Sequence, residues 1–440
     1  MEPGRRKQLG AWYTPAALVD HVVERTLHRE VGHPARPWRV LDPACGDGRF
    51  LTAAALASGG DAHLTGVDID RATANATALA LPPAQILRGD ALVRRWGARR
   101  FDVIIGNPPF LNQMATATTR TTKSRFGGGA YADVAADFLA LSVSLLAPGG
   151  RVGLVLPQSI LTTRDVEPIR RFVRDRAALV HIWWSPTLLF DAQVRTCALV
   201  FEAGAPQGVV TRSFGPHFEP YAPTRLGASW GSLLLDEPEP EAVSATAPTL
   251  GDIATFTVDF RDQYYGLVPA VADDVDGPPF VTSGVIEPGR SLWGERPVTF
   301  AKQRFAAPRV ALDRLSPKMQ RWAATRLVPK ILIANQTRTI EAVVDREGAW
   351  LPGVPVISCT STRLDEVHRV LSSPAATTWV RHRAAGSGLS YGTMRLSPSL
   401  LAGIPLTGDA SVFAIGGEST PVVCFPPIDI RSPAARSHDS

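Results

Sequence analysis

An α/β fold built on a largely parallel sheet, followed by a second and irregular α+β unit, is the architecture that the sequence predicts. Three observations predict it. Between residues 39 and 201 short apolar β-rich runs alternate with longer amphipathic ones, the pattern of strands covered by helices. From 204 to 252 the texture changes to Pro, Gly, Ser and acidic residues, including Asp236-Glu237-Pro238-Glu239-Pro240-Glu241, which reads as a linker. Beyond it the alternation is lost, and short β-like runs recur at 327–335, 341–344 and 354–357. The expected division of the 440 residues is 1–205, an acidic connector over 206–250, a second domain over 251–425 and a disordered tail over 426–440.

The elements follow in order. Thr14-Pro15 opens a helix over 16–29, with Thr as its cap and Pro in its first position. Strands are expected over 39–41, 62–67, 84–87, 101–105, 151–156, 179–182 and 197–201, because each is a short apolar run bounded by turn residues. Helices over 50–58, 71–79, 135–146 and 166–176 fill the intervals with apolar positions at helical spacing.

Composition excludes several classes of protein. A hydrophobic share of 45% with 20% charged residues and a mean hydropathy of +0.02 belongs to a globular chain, neither disordered nor fibrous. No apolar run approaches the ~20 residues that span a bilayer, and the first residues lack the apolar core of a secretory signal, so the cytoplasm is the expected compartment. Cys45, Cys197, Cys359 and Cys424 are scattered and have no zinc-ligand spacing, so reduced thiols and no metal site are expected. The net charge of +5 is segregated: +7 over 1–200, −9 over 201–300 and +9 over 301–400.

The chemistry concentrates at strand ends. Asp42-Pro43-Ala44-Cys45-Gly46-Asp47-Gly48 follows the first strand and leads into a helix. Gly46 and Gly48, lacking Cβ atoms, let a cofactor lie across the carboxyl ends of the strands. The pyrophosphate fingerprint is incomplete, since Leu51 stands at its third glycine. Asp68, followed by Ile69, ends the second strand, where an acid suits a ribose diol; Asp90 ends the third, where an acid suits an adenine amino group. The fourth strand runs into Asn107-Pro108-Pro109-Phe110. Two prolines remove two backbone donors and leave nearby carbonyls as acceptors; with the Asn107 amide oxygen they suit both hydrogens of an exocyclic amine, while Phe110 stacks on the attached ring.

Taken in order, Tyr13-Thr14-Pro15 after Trp12, the loop 42–48, Asp68, Asp90 and Asn107 to Phe110 resemble the motifs of the gamma-class DNA adenine-N6 methyltransferases, typified by the TaqI enzyme. The resemblance implies a Rossmann-like methyltransferase sheet that binds S-adenosylmethionine, followed by a C-terminal DNA-recognition domain. It implies Tyr13, Thr14, Pro15, Asp42, Pro43, Ala44, Cys45, Gly46, Gly48, Asp68, Ile69 and Asp90 as cofactor residues and Asn107, Pro108, Pro109 and Phe110 as catalytic ones. It also makes Phe190 the residue against the flipped adenine. Asn rather than Ser at 107 is similar to the adenine-N6 enzymes more than to the cytosine-N4 enzymes, and Phe110 replaces the commoner Tyr. Double-stranded DNA is the implied partner, with a separate restriction endonuclease or an orphan or phage-defence role both open, and a monomer is expected. Rival readings are an enzyme acting on RNA or on a protein glutamine amide, and a DNA-binding relative without catalysis.

Two basic stretches add to this. Lys302, Arg304, Arg309, Arg314, Lys318, Arg321, Arg326 and Lys330 stand in twenty-nine residues against Asp313 alone, interleaved with Phe305 and Trp322, and read as a phosphate-contacting surface. Lys302, Arg304, Arg309 and Lys330 are its leading candidates. The Thr- and Gly-rich stretch 112–131, with Arg120, Lys123 and Arg125, reads either as a loop over the displaced base or as a plain surface loop. Because the first motif begins near Met1, a fused nuclease ahead of it is not expected.

Overall fold

The structure, a computed structural model, describes residues 14–27, 37–110, 124–129, 132–188 and 194–406, apart from 228, 238, 241–243, 245 and 389. The first half is a nine-stranded sheet. Its elements in chain order are α1 (Ala16–Thr26), β1 (Trp38–Asp42), α2 (Arg49–Ala57), β2 (Ala62–Asp68), α3 (Arg71–Ala80), β3 (Gln85–Arg88), β4 (Phe101–Gly106), α4 (Val134–Ser144), β5 (Leu146–Pro157), α5 (Glu167–Arg174), β6 (Ala177–Trp184), β7 (Thr196–Ala203), β8 (Val209–Phe214) and β9 (Glu219–Arg225). The order across the sheet is β3-β2-β1-β4-β5-β7-β6-β8-β9. The pairs from β3 to β5 are parallel, and β7 runs antiparallel to both β5 and β6.

Alternate residues of the central strands feed cores on the two faces. On β4, Ile104 joins Leu139, Leu154 and Val173 on one side, while Val103 and Ile105 join Leu18, Val22 and Leu51 on the other. Helix α1 lies hard on β5: a Cβ at Gly153 would stand 2.0 Å from the Thr26 hydroxyl. The helix ends at Thr26 with Leu27 as its C-cap, and the remainder of its expected span to 29 lies outside the described residues.

Two expectations are corrected here. The connector does not begin at 206, because β8 and β9 extend the sheet and Val210, Trp230 and Leu233 are buried in its core. Pro220 and Pro223 made this stretch read as a linker, but β9 is an edge strand, where a missing backbone donor is tolerated. Thr14 does not cap α1: Pro15 is the N-cap, without a side-chain cap, and the Thr14 hydroxyl is engaged elsewhere.

The second half is built on a four-stranded antiparallel sheet with β10 (Thr255–Val258) at one edge. The short hairpin of β11 (Val298–Phe300) and β12 (Gln303–Phe305) and the helix α6 (Pro317–Arg326) precede β13 (Lys330–Ile333), β14 (Ala342–Asp345) and β15 (Ile357–Thr360). The order is β10-β15-β13-β14. Ile331 and Ile333 face a core shared with the helix α7 (Leu364–Leu371), while Leu332 faces another with Met319 and Phe280. The expected strand over 327–335 is thus the shorter β13, and that over 354–357 is displaced to β15.

Candidate active site

Strand order places the site. β1 has β2 on one side and β4 on the other, so the chain crosses in opposite directions from β1, and a crevice opens at the carboxyl ends of β1 and β4. The ends of these strands nearly touch: a Cβ at Gly106 would stand 2.6 Å from an Asp42 carboxyl oxygen. Only glycine fits there.

The loop after β1 is pinned by backbone. Cys45 N–H donates to the Val67 carbonyl at 2.8 Å, and Gly46 N–H to Asp68 Oδ2 at 3.0 Å. Gly46 and Gly48 take φ of +51° and +81°, which L side chains rarely adopt. Thr77 Oγ1 donates to the Gly46 carbonyl at 2.6 Å, and its methyl group would stand 2.7 Å from a Cβ on Gly48. A Cβ on Gly46 or Gly89 would meet nothing within 4 Å, so open space faces the backbone at both places.

The acids differ in environment. Asp42 is buried, and its carboxyl accepts from Ala44 N–H at 3.0 Å. Burial foremost, with the nearby Asp68 and Asp47, raises its pKa to about 8. Asp68 Oδ1 accepts from Asp70 N–H at 2.7 Å, and burial raises its pKa too. Each of its oxygens carries two acceptor positions, so backbone bonding leaves capacity for hydroxyl donors. Gly89 N–H donates to the Asp68 carbonyl at 2.9 Å, which sets Asp90 beside the end of β2; Asp90 Oδ1 accepts from Leu92 N–H at 2.8 Å. Ile69 between them is 62% exposed, an apolar surface at the mouth. The Cys45 thiol, buried and near Asp42 and Asp68, is pushed up in pKa and does not serve as a nucleophile.

Asn107 follows β4 directly. Its Nδ2 donates to Thr14 Oγ1 at 3.0 Å, which fixes the orientation of the amide, and its Oδ1 is buried. Pro108 is buried, Pro109 and Phe110 are half-buried, and Phe110 packs against both cores of the sheet. Sequence reasoning missed Arg49: its Nη1 donates to the Thr14 carbonyl and its other donors hold Asp47, tying the glycine loop to the start of α1. Its place directly after Gly48 was the available signal. The structure therefore brings together Thr14, the loop 42–49, Asp68, Asp90 and Asn107 to Phe110. Tyr13 and Phe190 lie outside the described residues, as does most of 112–131. Cys45, Cys197 and Cys359 are free and buried.

The basic stretch divides. Lys302 and Arg304 are exposed on the β11–β12 hairpin, whose tip residues Ala301 and Lys302 take positive φ. Arg309 is half-buried, its guanidinium 4.9 Å from the Trp293 ring and 2.8 Å from the Gly277 carbonyl. Lys330 is corrected: it is fully buried, its Nζ 2.5 Å from Asp345 Oδ2, because β13 is the inner strand next to β14 and its side chain has no path to solvent. It does not contact a phosphate backbone.

Residues 3–212 match the family model of the N-6 DNA methylases. The match covers a little under half of the chain, and this part is similar to that family. The Type II methyltransferase M.TthHB8I of Thermus thermophilus is 26% identical over 306 residues, covering 64% of this chain and 67% of that protein. M.BanIII of Aneurinibacillus aneurinilyticus is 26% identical over 218 residues, covering 43% of this chain and 38% of that protein. The chain thus spans two thirds of the first relative and little more than a third of the second. The Type IIL restriction-modification enzyme MmeI, solved in complex with DNA, superposes over 91% of this chain and 69% of its own with a TM-score of 0.60 at 14% identity, a likeness of fold that runs through both halves. The N-terminal half is thus similar to the N-6 DNA methylases, for which S-adenosylmethionine is the expected methyl donor. The crevice suits that cofactor on the chain's own terms: Gly46 and Gly89 take positive φ with open space before their backbone, and a carboxylate stands at the end of β2. Among the described residues no cluster of side chains suits a metal ion, and no helix is long and apolar enough to cross a membrane.

Proposed function

We propose that the chain is a site-specific DNA methyltransferase of the gamma class, which methylates the N6 amine of an adenine turned out of the duplex. The observation that carries this reading is the Asn107–Thr14 hydrogen bond at the carboxyl end of β4, beside the glycine loop and Asp68. Adenine's amine is a weak nucleophile because its lone pair is delocalised into the ring. Asn107 Oδ1 and the Pro108 carbonyl accept its two hydrogens and favour a pyramidal nitrogen, while Phe110 offers an aromatic face to the base. Turning the base out costs a few kcal/mol, offset by these contacts. S-adenosylmethionine, when bound, supplies a methyl group already activated by its sulfonium, so no acid is required to assist departure.

On this chain, Thr14 holds the Asn107 amide, Asp68 and Asp90 receive the cofactor's ribose and adenine, Gly46 admits it, and Gly48 lets the loop turn against Thr77. Phe190 packs on the flipped base, and Lys302 and Arg304 contact backbone phosphates through the second half. The setting is restriction-modification or phage defence, beside a separate endonuclease or alone, with the chain acting as a monomer. The test is to incubate the protein with methyl-tritiated S-adenosylmethionine and unmethylated genomic DNA, then digest to nucleosides. Label in N6-methyldeoxyadenosine is expected; label only in RNA or protein, or none, overturns the reading.

A further inference from the structure

Away from the crevice, the segments 93–100 and 125–126 and the C-terminal turn of α4 border an open surface concavity of about 760 Å³. Arg94, Arg95, Arg100 and Arg125 line it, and no carboxylate among the described residues does. None of the four makes an ion pair with a described residue. The donors that are engaged go to backbone instead: Arg125 Nη1 to the Leu92 carbonyl at 2.5 Å, and Arg100 Nη1 to the Arg99 carbonyl at 2.8 Å. The wall is firm, because Trp96 is buried, donates from Nε1 to the Ala91 carbonyl at 3.1 Å and meets Phe101 edge-on.

Four guanidiniums around one concavity repel one another, and none can shed its charge near neutral pH. A concave wall of a single sign focuses the field inside it and concentrates anions there. The planar fork of guanidinium donors matches phosphate oxygens in pairs. The volume falls within the roughly 300–1,000 Å³ of small-molecule sites, and Val93, 66% exposed, adds an apolar wall. The concavity also lies at the wrong end of the sheet to receive the target base. Arg100 immediately precedes β4 and Leu145 immediately precedes β5, whereas Asn107 follows β4, so the strand separates them by about 20 Å.

We propose that this concavity binds a polyphosphate, free or carried by a nucleoside, held through its phosphates by Arg94, Arg95, Arg100 and Arg125. The inference goes beyond methyl transfer and does not depend on it. The test is calorimetric titration of the full chain with ATP at about 150 mM salt, with S-adenosylmethionine at saturation so that the adenosine-binding crevice is filled. One-to-one binding that inorganic tripolyphosphate displaces is expected, weakened at least tenfold in Arg95→Glu/Arg100→Glu. Both side chains are exposed, so that variant keeps its fold, which circular dichroism and unchanged S-adenosylmethionine binding verify. Absence of saturable binding, binding that the variant retains, or displacement by duplex DNA overturns the proposal. The titration reads binding without turnover, so its failure and that of the methyltransferase reading are separable.

Discussion

Residues 42–49 and residues 302–330 are two segments whose composition alone suggests function, and the fold treats them differently. In the first, each noted residue sits where its type requires: glycines at positive φ, Asp42 under the loop, Cys45 tied to β2. In the second, eight cations of one apparent kind take three fates. Lys302, Arg304, Arg314, Lys318 and Arg321 are exposed; Arg309 and Arg326 are half-buried on Trp293 and Asp259; Lys330 is sealed inside against Asp345. A strand-end loop is defined by backbone geometry that only certain residues satisfy, so its sequence carries its position. A charge run carries no such constraint, and the packing of β13 and α6 decides what each cation meets.

Five experiments sharpen or break this contrast. The largest effect is expected inside the basic stretch. Lys330→Ala leaves Asp345 charged and buried without its partner and costs about 3–5 kcal/mol, read by denaturant unfolding. A variant that melts like the parent would return Lys330 to the surface. In the site, Asn107→Ala is expected to lower the rate of methyl transfer by roughly 10²–10³-fold, with cofactor and DNA affinities close to the parent's; retained turnover would remove the acceptor role. Gly48→Ala meets both the +81° φ and the Thr77 methyl group at 2.7 Å, and should cost about 1–3 kcal/mol together with cofactor affinity. A neutral outcome would mean that the loop tolerates another backbone path.

Lys302→Ala/Arg304→Ala should change stability by no more than about 0.5 kcal/mol, because both side chains are exposed. It should also reduce the salt dependence of DNA binding by about two counterions. An unchanged slope in fluorescence anisotropy would move the phosphate contacts elsewhere in the molecule.

The smallest effect concerns pH. His21 and His181 meet at 3.1 Å, each 3.0 Å from Ser213 Oγ, and burial lowers their pKa values to about 4 and about 3 from 6.5. Both are neutral in the fold. As pH falls from about 6.5 the unfolded chain takes up protons that the folded one refuses, so stability declines across that window. Asp42 acts in the opposite sense: its carboxyl is raised to about 8 from 3.8, so its contribution is present at low pH and is lost as pH rises through about 8. Asp68 is raised in the same sense as Asp42, so the histidines are read by difference: from pH 6.5 toward 4 the melting temperature of His21→Gln should fall less steeply than the parent's, by about one proton. An equally steep fall in that variant would exclude the pair as its source.

Much of the first half was legible. The strands over 39–41, 62–67 and 101–105 became β1, β2 and β4 with one or two residues added at their ends, because apolar runs between turn residues have few other ways to be buried. β8 and β9 were not legible, since Pro220 and Pro223 suit a linker as well as a sheet edge, and the edge is known only once the other strands are in place. The role of Thr14 was hidden for a related reason. A Thr before Pro at a helix start reads locally as a cap, while its hydroxyl answers to Asn107, 93 residues away.

The sequence by itself determined the order of motifs along the strands and the positions at which only glycine or a strand-end carboxylate serves, because those are set by local backbone geometry. Tertiary structure decided that β1 and β4 lie side by side so that Gly106 meets Asp42, that Arg49 reaches Thr14, and that one lysine of a basic run is buried while its neighbours face water. These depend on which distant surfaces exclude solvent, and no window of residues contains that information.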